Sequence, residues 1–196
     1  MITYSNIKRY ENLDFEDYLK LKGLSHSYLK YELNGEKKPI EVTNNMILGS
    51  YVDSILTGES KSIDMLNPIY SAAKNIAVKI DKTFGSCISS LKSQISYTCE
   101  MEHLGYKITA TGRLDYLLEN NAVIDLKVTQ SKKVYDLIKY MGYTNQLWHY
   151  SKMANVQLAY IMIHSVPLKE TFMISLDVTS NSNDFFESKI LKLGSL

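Results

Sequence analysis

Asp115, Asp125 and Lys127 are the residues whose types and spacing in this chain could do chemistry together, led by Gly112-Arg113-Leu114 and followed by Gln146 and Tyr150, four apart. Two carboxylates can hold a divalent cation, and a lysine can orient a water or offset charge growing on phosphate oxygens. A Gln/Tyr pair on one helix face can support both. Carboxylate oxygens are the hard donors that Mg2+ or Mn2+ prefers, and Mg2+ commonly takes one or two of them, completing its shell with water and substrate phosphate. Such an ion would polarise a scissile phosphate and acidify a bound water. The run spells the parts of a phosphodiester-hydrolysing centre. Each piece alone is common, since acidic residues on hairpins are mostly solvated and Asp-x-Lys recurs by chance; the order and spacing carry the reading.

The elements that must position these groups can be read from the same stretch. Between Leu114 and Val128 two apolar-rich segments flank Glu119-Asn120-Asn121, and Asn tolerates the left-handed backbone of a tight turn. A hairpin with a three-residue loop sets Leu118 against Ala122 and, counting back in register, Asp115 against Asp125. The period of two then places Lys127 on the face of Asp125 and sends Ile124, Leu126 and Val128 to the other side. A two-residue loop would instead oppose Asp115 to Leu126, so the loop must have an odd number of residues. Arg113 shares the parity of Asp115 and is one of two arginines with Arg9; it either clamps a phosphate or pairs with Asp115.

Gln146 and Tyr150 fall on a helix expected over 134–152 with a break at Gly142, whose neighbours Leu147 and Trp148 face a core. A second helix over 46–57 carries an apolar stripe of Leu48, Tyr51, Val52, Ile55 and Leu56 and stops at Gly58. Its other face, Met46, Gly49, Ser50, Asp53 and Thr57, suits close approach to a sheet or a phosphate. Ser25 can cap a helix over 26–33 with Gly35 after it, and Ser71 to Phe84 reads as helix ending before Gly85. Strands are expected over 94–101, 106–118, 122–129, 156–164 and 170–178. Helices thus come first, over about 1–85, and a sheet-forming core follows over about 94–196. The fold class is α/β, a mixed central sheet flanked by helices, in one domain spanning 1–196.

Asp115, nine intervening residues, then Asp125-Leu126-Lys127 resembles the signature of the PD-(D/E)xK nuclease superfamily. The continuation Val128-Thr129, Gly142-Tyr143-Thr144-Asn145-Gln146 and Tyr150 is similar to the RecB/RecE-like exonuclease branch. Upstream, Leu24-Ser25-His26-Ser27 and Gly49-Ser50-Tyr51-Val52-Asp53 resemble that branch's leading serine motif and its Gly-Ser-x-x-His helix, so the likeness spans about residues 24–152. It implies a restriction-endonuclease-like core with its site at one sheet edge, and a Mg2+- or Mn2+-dependent DNA exonuclease of phage or mobile-element recombination type. It implies Asp115 and Asp125 as metal ligands with the Leu126 carbonyl, Lys127 assisting the water, and Gln146 and Tyr150 supporting the site near DNA. It also implies action on duplex ends, a homo-oligomer and a single-strand annealing partner. Asp53 departs from the pattern, standing where many relatives carry histidine; it is a candidate third ligand whose charge favours hard ions. That departure keeps a non-catalytic nucleic-acid-binding or assembly module open, beside a site-specific endonuclease.

Composition bounds the rest. The 196 residues are 45% hydrophobic with net charge +1, which neither supports nor excludes DNA binding, because a local stripe matters more than the sum. Residues 105–152 are the more basic part, and Lys132 and Lys133, just past the lysine strand, could track a phosphate backbone. Cys87 and Cys99 are too few for a four-cysteine iron-sulfur cluster, and the four histidines have no zinc spacing. No Gly-x4-Gly-Lys-Ser/Thr loop is present, so no nucleotide cofactor is expected. The apolar runs are short of a membrane span and no signal peptide is read at Met1, which places the protein in the cytoplasm of a bacterial or phage-infected cell.

Overall fold

In the computed structural model, which describes residues 1–32, 43–58, 67–88, 91–177 and 182–194, seven strands form a mixed sheet with helices on both faces. The path runs β1 (Thr3–Tyr10), β3 (Lys92–His103), β4 (Tyr106–Leu118), β5 (Ala122–Thr129), β6 (Leu158–Ser165) and β7 (Glu170–Ser175); β2 (Leu24–Ser25) pairs with β4 off this path. The β2–β4 and β5–β6 pairings are parallel and the others antiparallel.

On one face lie α3 (Asn44–Thr57) and α4 (Pro68–Ile88), whose Leu48, Val52, Ile76 and Ile80 pack on Tyr116, Leu126 and Met162 of the sheet. The stripe expected on α3 is the buried one, with Tyr51, Ile55 and Leu56 at its margin, and Gly58 ends the helix in the left-handed conformation at φ 70°. The other face is covered by α2 (His26–Glu32), α6 (Tyr143–Ala154) and α7 (Ser182–Gly194) through Leu29, Leu147, Trp148, Met153, Phe186 and Ile190. Trp148 stacks on Phe186 at 5.1 Å between ring centroids, which fixes α6 against α7. Ser25 caps α2, its Oγ accepting from the Tyr28 amide at 3.2 Å, as expected; the Gly35 stop lies outside the described residues.

Three expectations are corrected. The N-terminal part is not helical throughout: Thr3–Tyr10 is the edge strand of the sheet, followed by the short helix α1 (Phe15–Lys20). Strand β3 starts before 94 and runs past 101, and α4 continues through Gly85 to Ile88. A glycine inside a helix costs about 1 kcal/mol relative to alanine, and burial of Ile88 at 6% exposure offsets that cost. The helix α7 was not foreseen.

His149, on α6, is fully buried between Tyr4 and Phe186, with the Tyr4 hydroxyl 2.9 Å from its Nδ1. Burial lowers its pKa from 6.5 to about 4. Above 6.5 the ring is neutral folded and unfolded alike; between 6.5 and about 4 only the unfolded chain takes up the proton, so stability falls as pH falls through that window. The loss approaches about 3 kcal/mol near pH 4. Urea midpoints across this range check it: His149→Gln, neutral throughout, should remove this share of the slope, leaving those of His164, also lowered by burial, and of Asp115, which runs the opposite way.

Candidate active site

The sheet is opened where the chemistry-bearing residues sit. β5 pairs only with the end of β4, at Tyr116↔Ile124, Leu117↔Val123 and Leu118↔Ala122, while β2 takes the same edge further back, at Ala110 and Thr111. Gly112 to Asp115 therefore lie along a gap. The loop is the expected three residues, with Asn120 left-handed at φ 58°, and the register aligns Asp115 with Asp125. The ladder stops one pair short of them. There the Asp115 side chain replaces the missing partner, its Oδ2 accepting from the Leu126 amide at 2.7 Å. Within a strand a residue's N–H and C=O share an edge, so the Leu126 carbonyl faces the same gap.

Asp125 is 2% exposed. Its Oδ2 has no hydrogen bond of good geometry, but the Lys127 ammonium lies 2.5 Å away. Its Oδ1 receives a long contact of 3.4 Å from Gln146 Nε2, which also donates to the Tyr150 hydroxyl at 3.0 Å. The helix thus presents Gln146 and Tyr150 one turn apart, as its spacing requires, and Gly142 between α5 (Val134–Met141) and α6 turns the chain at φ 70°. Burial, then the charges of Asp125 and Asp53, raise the Asp115 pKa well above the usual carboxylate range, against the opposing pull of Lys127 and the Leu126 amide. Burial alone would lower that of Lys127, but Asp125 and Asp115 outweigh it and raise it, so the ammonium stays charged. The donor set here is oxygen only: two carboxylates crowded by like charge, beside a strand carbonyl. Such a set fits a hard divalent cation.

Asp53 lines the same cavity, near enough for its charge to act on Asp115. Among the described residues no group of three or more His, Cys, Asp or Glu is placed to hold a metal ion. Its Oδ2 accepts from Gln94 Nε2 at 2.6 Å, and its Oδ1 has a weak contact with the Tyr116 hydroxyl at 3.5 Å. Arg113 lines the cavity as well, with its guanidinium held by neighbouring groups. It is 9% exposed, donates from Nε to Gln94 Oε1 at 2.6 Å and from Nη1 to the Leu13 carbonyl at 3.0 Å, and lies against the rings of Phe15 and Tyr18. Lys132 and Lys133 are exposed on the loop before α5, outside the cavity. Ser25 is likewise outside it, and Thr57 turns its hydroxyl back to the Asp53 carbonyl.

Asp115, Asp125, Lys127, Gln146 and Tyr150 line one cavity of ≈ 490 Å³ with Asp53, Gly49 and Ser50 of α3 and Phe15 and Tyr18 of α1. Gln94 lines it too and was missed. Its only sequence signal is indirect: a two-residue turn at Leu104-Gly105 extends the β3–β4 register until Gln94 faces Asp115. Leucine is a poor residue for a left-handed turn, which hides that reading.

Gly112 explains its place in the run. A Cβ there would lie 2.2 Å from Met153 Cε and 2.8 Å from Tyr150 Cε1, so the bare backbone lets α6 lie close on β4. Met153 can swing aside; the Tyr150 ring is held by Gln146. Gly112→Ala should cost about 1–3 kcal/mol through overpacking, read as a lower thermal midpoint, with activity falling further than stability as Tyr150 shifts.

No protein-family model matches the chain, and no curated protein matches it. Among solved structures it is similar to a candidate exonuclease from Eubacterium rectale, 19% identical, with a TM-score of 0.71 over 95% of this chain and 88% of that one. A phage-related exonuclease from Haemophilus somnus 129PT is a looser likeness, 15% identical over 94% of this chain and 80% of that one, with a TM-score of 0.45. The Eubacterium rectale likeness is one of fold: a mixed sheet between helical layers, of the kind that protein has.

Proposed function

We propose that the chain is a metal-dependent DNA exonuclease of the RecB/RecE-like branch, one nuclease domain acting on duplex ends in phage or mobile-element recombination. The reading carries with it a homo-oligomer, a single-strand annealing partner and a cytoplasmic setting. It rests on one observation: the carboxylates of Asp115 and Asp125 and the ammonium of Lys127 converge in the gap between β4 and β5, backed by Gln146 and Tyr150. The Eubacterium rectale protein, itself named as a candidate exonuclease, has the same fold.

Asp115, Asp125 and the Leu126 carbonyl would hold Mg2+ or Mn2+, which when bound supplies a Lewis acid for the phosphate and a more acidic water. Lys127, charged and half-buried, cannot take a proton from that water; it orients the water and stabilises negative charge developing on the phosphate oxygens. Gln146 steadies Asp125 and the Tyr150 hydroxyl together, keeping the site's polar groups in register with α6. Phe15, Tyr18 and Tyr143 line the same cavity and offer ring faces to a nucleotide bound there.

End-labelled linear duplex beside closed circular DNA, with Mg2+, Mn2+ or EDTA, tests the proposal. Loss of the linear substrate alone, only with metal, is the expected result. Opening of the circles would make it an endonuclease, and binding without cleavage under either metal would make it a non-catalytic module.

A further inference from the structure

Gln94 is buried, 6% exposed, and adopts φ 55°, a left-handed backbone that a non-glycine residue rarely takes inside a strand. The β3–β4 ladder passes over it, pairing Ser93 with Tyr116 and Ile95 with Leu114, so the kink falls opposite Asp115. The kink accompanies a bridge. One end of the Gln94 amide donates to Asp53 Oδ2 at 2.6 Å, and the other accepts from Arg113 Nε at 2.6 Å. Arg113 in turn holds the Leu13 carbonyl and lies beneath Phe15 and Tyr18 of α1.

We infer that Gln94 is a positioning residue of the cation site: it polarises toward Asp53 under the guanidinium of Arg113 and fixes that carboxylate beside Asp115 and Asp125. This role rests on the metal-dependent reading above. Asp53 then acts on the cation through its charge and orientation rather than as a ligand in the cluster. A hydrogen bond whose acceptor is ionised and whose amide is polarised by a second charge is stronger than a neutral one, and the short distances at both ends agree. The left-handed backbone at 94 interrupts the ladder where the amide bridges Asp53 and Arg113.

Asparagine separates the two roles, because it tolerates the left-handed backbone better than glutamine but is one methylene too short to span Asp53 and Arg113. Mn2+ binding to the metal-free protein by titration calorimetry, without DNA, should weaken about tenfold in Gln94→Asn, measured below a thermal midpoint that falls modestly as the two hydrogen bonds are lost. Asp53→Asn should weaken it similarly, and the double variant no further, because Gln94 acts through Asp53. The metal concentration for half-maximal cleavage should rise in parallel. Wild-type binding and cleavage with Gln94→Asn indistinguishable, or with the two effects adding, would overturn the role alone. A wild type that neither binds Mn2+ nor cuts DNA would overturn the nuclease reading, and this role with it.

Discussion

Lys127→Met should lower metal-dependent cleavage of linear duplex by about 10²–10³-fold at saturating metal, the range for removing a group that stabilises transition-state charge. The methionine keeps most of the stem's volume against Tyr143, over whose ring the ammonium sits at 5.5 Å, so the fold should survive. What is lost is the one cation within 2.5 Å of the Asp125 carboxylate, among the described residues. Lys127→Arg keeps the charge but offers a planar fork in place of a compact point charge, and should recover only part of the rate. Single-turnover rates separate this from a binding defect. Cleavage by Lys127→Met within a few-fold of wild type would remove Lys127 from the chemistry and leave it as a counter-charge for the buried Asp125 and the half-buried Asp115.

Much of that geometry was legible before the fold was known. The three-residue loop at 119–121 and the period of two fix which side chains share a face, and Asn120 supplies the left-handed residue the loop needs. The gap was not legible, because it depends on β2 occupying the edge of β4 at Ala110 and on Asp115 capping the Leu126 amide, neither of which has a local pattern. β1 escaped notice for a related reason: an edge strand that buries little, bulged between Ser5 and Lys8 with Asn6 at φ 49°, has no alternation to read. The six residues of α1 bury none of their own side chains, so no apolar stripe marks them. α7 did carry a signal, Phe186 and Ile190 four apart and both fully buried. For Arg113, parity tells which face the residue takes but not which groups hold it there; Gln94 and the Leu13 carbonyl are among them.

Asp115→Asn should abolish cleavage yet make the metal-free protein more stable. In wild type the Asp115 carboxylate is half-buried beside Asp125 and near Asp53, and Lys127 does not fully compensate its charge. Its raised pKa means that ionisation costs stability above that value, a cost that disappears as pH falls below the ordinary 3.8. Asparagine removes the charge while its Oδ1 can still accept from the Leu126 amide. In EDTA near neutral pH the variant should therefore melt higher than wild type, each kcal/mol of relieved repulsion raising the midpoint by about 2–4 °C for a chain of this size. Adding Mg2+ or Mn2+ should reverse the order, since an ion bound only to the native state stabilises in proportion to RT ln(1 + [L]/Kd) and the variant has lost a charged ligand. The crossing of the two melting curves with metal is the diagnostic result, because a structural role for Asp115 predicts a variant that is less stable in both conditions. A variant that melts below wild type in EDTA would mean that Asp115 and Asp125 do not strain against each other, and would remove the main physical reason for placing a cation between them.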